Sequence, residues 1–257
     1  MSRLRFFTHY LVESAHMAKL FGLLSFGTIS ALLGRAMLPV STVFSIVLFH
    51  LSLNFFGATV GMFLRKPQIF GKRVDGTLRP WSYIVWYPWI LMSWLSSQHV
   101  LRKMIRYPVV SEVHERIFVG GYLGAGKTLP SVLSKHHLCV IDVTCELPRS
   151  RALPHDVEYL NIATWDGTPP TVSDIQRSVE WAIERHKQGH AIYVHCAFGI
   201  GRSATIASAI IVGMGIRTTW QDAFAYIQEQ RPVVRLNAGY KGALIAWTKF
   251  RETMNDN

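Results

Sequence analysis

Between Arg35 and Arg65 the chain runs for 29 residues, 36–64, without a formal charge. Helices of soluble domains are mostly about three to four turns long, so a soluble core rarely uses such a run. A bilayer, which needs about 20 apolar residues per crossing, accommodates it readily. The run contains Pro39, His50 and Asn54. Two further apolar stretches flank it. Residues 20–34, between Lys19 and Arg35, are 15 long and slightly short for a crossing of about 20. Residues 81–101 carry Trp81, Tyr83, Trp86, Tyr87, Trp89 and Trp94, the side chains of a headgroup boundary. That third stretch is expected to cross or to lie in the interface, and Pro88 would kink it if helical. A buried helical hairpin in a soluble protein is the alternative reading of the whole front region.

Charge separates the chain into two parts. Residues 1–110 hold 12 Lys/Arg against Glu13 and Asp75, whereas residues 111–257 hold 15 Lys/Arg and 14 Asp/Glu. The overall charge of +11 thus belongs to a basic, apolar front and not to the near-neutral back. Basic residues scattered between apolar runs suit an anionic bilayer face. They form no single stripe of the kind nucleic acid requires, so no nucleic-acid partner is expected. Only 17% of residues are charged, below the usual quarter, as a membrane-embedded part requires. The apolar stretch begins too late, and is followed by too many others, to read as a cleaved secretory signal. Arg65, Lys66, Lys72, Arg73 and Arg79 place the linker 65–80 on the cytoplasmic side, and Arg102, Lys103 and Arg106 prefer the same side. Two crossings plus one interfacial segment satisfy both.

Residues 1–110 are therefore expected to anchor a catalytic domain over residues 111–257. In the latter, strands are expected within 115–123, 137–144, 157–162 and 191–195, with helices over 129–135, 171–187, 201–216, 220–230 and 238–250. Alternating strands and helices predict an α/β domain with a mainly parallel central sheet flanked by helices. The three cysteines, Cys139, Cys145 and Cys196, are few and widely spaced. They suit a reducing compartment, and no Cys/His set has convincing zinc-site spacing.

The chemistry concentrates in His195-Cys196-Ala197-Phe198-Gly199-Ile200-Gly201-Arg202-Ser203, between an expected strand and an expected helix. Open α/β sheets bind ligands at the carboxyl ends of their strands. Gly199 and Gly201 let the chain curl with its N–H groups inward, forming an anion cradle at a helix start. There Cys196 would ionise below the ordinary thiol value, near 8.5, and attack phosphorus. Arg202 can grip two non-bridging oxygens with its planar fork, which lysine cannot copy. Ser203 is placed to donate a hydrogen bond to the sulfur when it leaves. His195 reads as support for the loop, because a thiolate needs no separate base. A leaving alkoxide or phenolate needs a proton, and Asp166 in Trp165-Asp166-Gly167-Thr168-Pro169-Pro170 is the candidate donor. Asp142, inside an apolar strand, and Asp156, before another, are its rivals.

The nine-residue segment resembles the signature loop of the protein tyrosine phosphatase superfamily: Cys, five residues, then Arg and Ser. The domain size, an acid 30 residues before the cysteine, and the stretches IFVGGYL, VIDVTCE, WDGTPP and RPVVRLNAGYKGAL resemble the dual-specificity branch over residues 117–250. The resemblance implies Cys196 as nucleophile, Arg202 as phosphate binder, Asp166 as general acid and Ser203 as the hydroxyl that assists the second step. It implies no metal, and no cofactor is expected.

Residues 121–128, GYLGAGKT, formally match a nucleotide phosphate loop ending in Lys127-Thr128. The phosphatase reading already accounts for them as an opening strand and turn. Arg149 and Arg151 follow the second strand and are candidate substrate contacts, while Arg231 and Arg235 are expected to brace the fold. The variable positions Ala197, Phe198 and Ile200 include no base, whereas members of the superfamily it resembles that take polyphosphorylated inositol lipids tend to carry lysines there, and this departure speaks against a highly charged headgroup. The expected substrate is a phosphoprotein, with a lipid carrying a terminal phosphate monoester as the alternative. A membrane adaptor that binds phosphorylated partners without turnover is the non-enzymatic reading. The sequence carries no signal of oligomeric state.

Overall fold

The computed structural model describes residues 2–103, 107–124, 137–154 and 156–255. The helix expected over 129–135 and Lys127 lie outside them, as do Arg106 and the side chains of Arg102 and Lys103.

The front opens with α1 (Ser2–Met37) and α2 (Thr42–Phe63). The uncharged run is therefore not one helix. Residues 36 and 37 close α1, Pro39 lies in the turn, and Ser41 starts α2 by accepting the Phe44 N–H at 3.3 Å. Proline supplies no N–H to continue a helix, and a serine hydroxyl satisfies one of the first orphan N–H groups. The two helices meet through small residues: Gly27 lies against Phe55 and Phe56, Gly34 against Leu48 and Phe49, and Ser52 Oγ donates to the Gly27 carbonyl at 2.8 Å. Among the described residues two segments, Met17–Met37 and Thr42–Phe63, are long and apolar enough to cross a membrane. Their outer faces stay apolar and exposed, with Phe21, Phe26, Leu32, Val43, Ile46 and Phe63 all more than half open.

The third apolar stretch is two helices, α3 (Pro80–Val85) and α4 (Tyr87–Lys103), meeting at Trp86. Pro88 falls in the first turn of α4, where its missing N–H costs no hydrogen bond, so the break precedes it. His50 and Asn54 of α2 both reach the Val85 carbonyl, freed at the end of α3.

The back portion is built on a five-stranded sheet of order β1-β2-β5-β3-β4. Its strands are β1 (Val110–His114), β2 (Ile117–Gly121), β3 (Leu138–Asp142), β4 (Glu158–Asn161) and β5 (Ala191–Cys196). The pairings β2–β5, β5–β3 and β3–β4 are parallel. The sheet is thus mixed, since β1 pairs antiparallel with β2 through a tight hairpin in which Arg116 takes φ 58°. Period-two alternation divides the sheet's side chains. Ile117, Val119, Ile192, Val194, Cys139 and Ile141 face a layer made by α5 (Val172–Lys187), α6 (Arg202–Gly213), α7 (Trp220–Gln230) and α8 (Ala238–Asn255). Phe118, Tyr193, Leu138 and Val140 face the other side.

Front and back share a core. Leu20 of α1, Ala58 and Met62 of α2, Phe70 and Trp86 pack with Cys145 and Trp165. Trp165 stands edge-on to Phe70, with ring centroids 5.1 Å apart. Along the sheet edge the Asn161 N–H meets the Val74 carbonyl at 3.3 Å and the Arg149 N–H meets the Gly76 carbonyl at 2.7 Å. The bases of the linker 65–80 are not all at the surface. Lys72 is buried and ion-paired with Asp142, because the short segment after Phe70 folds back onto β3 and β4 and carries it inward.

Candidate active site

Strand β5 ends at Cys196, and α6 starts at Arg202. Between them the chain turns at Gly199, φ 70°, where any side chain would strike the Gly120 backbone of β2. Glycine is required there by both conformation and space. Carbonyls of the loop are drawn outward. The buried Arg231 donates through Nε to the Gly199 carbonyl at 2.9 Å, and the Arg235 N–H meets the Ile200 carbonyl at 3.1 Å. Arg231 also holds the Pro108 carbonyl at 2.8 Å, tying the start of β1 to the loop. With the carbonyls so engaged, N–H groups face the sulfur: that of Gly199 lies 3.3 Å from Cys196 Sγ, and Ser203 Oγ lies 3.4 Å from it. No side chain caps α6, so its first amides remain available to an anion.

Burial alone would raise the Cys196 thiol. The Arg202 guanidinium and hydrogen bonds from Ser203 and Ile200 outweigh it and hold the thiol below its ordinary value. Burial pushes Cys139 up to about 12 and Cys145 well above the thiol range. A lower value means more thiolate at a given pH. Iodoacetamide at pH 6.5 is therefore expected to label Cys196 at least about tenfold faster than either other cysteine, read by peptide mass spectrometry. Equal labelling would show that the loop does not activate its sulfur.

Arg202 is almost fully buried yet held by a planar clamp. Its Nη1 and Nη2 reach the two Glu146 carboxylate oxygens at 3.1 and 2.9 Å, and Nη1 also donates to the Thr164 carbonyl at 2.8 Å. Asp166 Oδ1 lies 3.2 Å from Nη2. Nε is buried without a partner. A buried donor with nothing to bond is costly, and an oxyanion above the loop is what would satisfy it.

Of the three candidate acids, the structure brings Asp166 to Arg202. Asp156 is exposed in the turn before β4. Asp142 is buried, paired with Lys72, and accepts from the Tyr159 hydroxyl at 2.7 Å and the Thr144 N–H at 2.9 Å. His195 lies beside it in register, 3.9 Å from nitrogen to carboxylate, and stacks on Tyr193. Burial lowers the His195 pKa despite Asp142, which keeps the imidazole neutral at neutral pH. Arg149 is turned toward the sheet edge, donating to the Pro154 carbonyl at 2.5 Å and lying over the Tyr159 ring, and Arg151 is exposed.

Three participants escaped the sequence reading: Glu146, Lys72 and Lys19. Glu146 follows β3 at the same carboxyl edge as the loop, and that position was a usable signal. The lysines gave none, being separated from their partners by 70 and 147 residues. At the opposite edge of the sheet, ligand atoms of Cys139, Glu158 and His190 lie within 4.8 Å of one another, a grouping that sequence spacing does not show. Cys139 Sγ is 3.3 Å from His190 Nδ1, and Arg185 bonds Glu158 at 2.9 Å.

The family model for the dual specificity phosphatase catalytic domain matches residues 121–250. The chain belongs to this family. Rat dual specificity protein phosphatase 18 is 27% identical over 139 residues, which cover 53% of this chain and 65% of that protein. Human phosphatidylglycerophosphatase and protein-tyrosine phosphatase 1 is 39% identical over 57 residues, 22% of this chain and 28% of the relative. The chain thus spans less than two thirds of the length of either relative. A crystal structure of a human DUSP28 variant superposes with a TM-score of 0.51 at 22% identity, covering 57% of this chain and 99% of that one. That likeness shows the fold. The α1–α2 hairpin, α3, α4 and β1 all precede the family match.

Proposed function

We propose that this chain is a membrane-anchored, cysteine-dependent phosphatase that hydrolyses phosphate monoesters of phosphoproteins. The observation that carries the reading is the convergence of three groups on one point: an acidified thiol, an arginine with a buried unpaired N–H, and a carboxylate beside that arginine. Loop amides and Arg202 bind the phosphoryl oxygens and stabilise charge as it spreads during transfer. The Cys196 thiolate forms a bond to phosphorus as the bond to the leaving oxygen breaks, and Asp166 donates the proton that oxygen needs. Ser203 then donates to the sulfur while water, deprotonated by Asp166, cleaves the phosphocysteine to free phosphate and thiolate.

Burial alone would raise the Asp166 carboxyl, but Arg202 and then Lys19 outweigh it and hold it low. A bound phosphate dianion takes over Arg202 and adds negative charge. Both changes raise the Asp166 pKa and allow it to carry the proton. Asp166→Asn is expected to slow alkyl phosphates by about 100-fold but an aryl phosphate with a good leaving group by less than about tenfold. Equal losses would remove it from the acid role.

The assignment is tested on the full chain in detergent with a small aryl phosphate and excess chelator. Expected is steady turnover unaffected by the chelator; no turnover, or turnover that needs added metal, overturns it. One observation favours a lipid monoester as a second reading: α1, one of the two membrane-length segments, passes beside the acid loop, with Lys19 against Asp166. Turnover of a phosphotyrosine peptide and a lipid phosphate in mixed micelles, compared side by side, separates the two. In this reading the α1–α2 hairpin returns the chain to the side where it entered. The catalytic domain then faces the cytoplasm or another reducing compartment, where Cys196 stays a thiol.

A further inference from the structure

The acid-bearing loop is gripped from the membrane hairpin. Lys19 Nζ donates to the Asp166 carbonyl at 3.2 Å and lies 3.7 Å from its carboxylate. The loop turns at Gly167, φ 81°, and a methyl group built there would strike the Lys19 ammonium. One residue earlier, Trp165 is inserted among Leu20 of α1, Ala58 and Met62 of α2, and Phe70. On the far side, Asn237 Nδ2 donates to the Gly167 carbonyl at 3.1 Å, just before α8. The loop is thereby fixed between α1 and the start of α8, already beside Arg202. A free acid loop would have to close at each turnover. Here an ammonium from the hairpin supplies the hold.

We propose that Lys19 is a positioning residue for Asp166, so that the membrane hairpin completes the catalytic site as well as anchoring it. The inference rests on the phosphatase reading above and deepens it. The Lys19–Asp166 ion pair is half exposed and adds little to overall stability. Its effect is geometric, holding the carboxyl where a leaving oxygen must take its proton.

The experiment uses the full chain in detergent micelles with two small substrates, an alkyl phosphate and an aryl phosphate with a good leaving group. Lys19→Ala is expected to slow the alkyl substrate about tenfold and the aryl substrate less than about twofold, because only the former depends on the acid. Lys19→Arg, which keeps a donor of the same charge, is expected to return the alkyl rate to within about threefold of the parent chain. Cys196 alkylation at pH 6.5 is measured on each variant and should be unchanged, which shows the phosphate loop intact. Equal losses on both substrates, no loss on either, or a Lys19→Arg variant as slow as Lys19→Ala overturns the proposal. Cys196→Ser is run in parallel. If it still turns over, the phosphatase reading itself fails; if it is inactive while the Lys19 variants match the parent, only the role of Lys19 fails.

Discussion

Cys196→Ser is expected to lower turnover of every phosphate monoester by about 10⁴-fold or more while leaving the fold and anion binding in place. The change removes little volume, and the 3% exposure of Cys196 leaves no room for a rearranged loop. Arg202, clamped by Glu146 and Thr164, does not depend on the sulfur for its position. The loop amides keep their direction because Arg231 and Arg235 still hold the carbonyls. What the variant is expected to lose is the proposed nucleophile. Arg202 and the local hydrogen bonds outweigh burial and favour the anion of a thiol, but an alcohol starts far higher and stays protonated. Inorganic phosphate should therefore compete for the variant's site with affinity within a few-fold of the parent's. A serine variant retaining a hundredth of the parent rate would remove Cys196 from the covalent step.

The loop was readable in the sequence because its determinants are local. A buried strand, two glycines and a helix start lie within a few residues of one another, and their chemistry depends on that order. Asp166 was readable more weakly, from a Gly/Pro-rich loop, with Asp142 and Asp156 as rivals until β3 and β4 placed them. Strand β1 was missed because its five residues include the exposed Glu112 and belong to a hairpin whose register only the partner strand defines. The 29-residue run was read as one segment because hydropathy averages over Pro39 and Ser41, whereas the backbone does not. Glu146 could have been read from its place after β3, whereas Lys19 and Lys72 act on residues far away in the chain and nothing in their own surroundings announces it. For the lysines, composition pointed the wrong way. Basic residues beside apolar helices read as headgroup contacts, yet Lys72 is spent inside the protein and Lys19 on the acid loop.

The position of these lysines bears on what the hairpin does. A tether alone would need no contact with the site. Here the front region supplies the packing for Trp165, a contact to Asp166 and the counter-charge for Asp142. Asp142 lies in register beside His195, one residue before Cys196. Support for the phosphate loop thus begins in the segment that leaves α2.

Lys72→Met is accordingly expected to cost about 3–5 kcal/mol of stability, the usual penalty for stranding one member of a buried ion pair. For a chain of this size that is a fall of about 10 °C in the melting midpoint. Lys72 and Asp142 are each 1% exposed at the side chain, so water cannot replace the lost partner. The Tyr159 and Thr144 hydrogen bonds remain but leave the carboxylate charge uncompensated. The exposed Lys249→Met is the control and should stay within about 0.5 kcal/mol of the parent. Combining Lys72→Met with Asp142→Asn removes the stranded charge while the amide still accepts from Tyr159, so the double variant should be more stable than Lys72→Met alone. Acid gives a second handle. In the parent, burial would raise Asp142, but Lys72 above all outweighs it and holds its pKa low, so its contribution is lost only as pH falls below the unfolded value of about 3.9. Without Lys72 the main lowering influence is lost, and burial, opposed only by the remaining hydrogen bonds, is expected to lift the folded pKa above that value. The penalty is then full at neutral pH and shrinks as the pH is lowered toward about 4. Melting curves of the four proteins between pH 7 and pH 4.5 decide the matter. A Lys72→Met deficit no larger than that of Lys249→Met, or one that does not narrow on acidification, would mean that the pair carries no charge across the junction and that the hairpin does not support the loop through it.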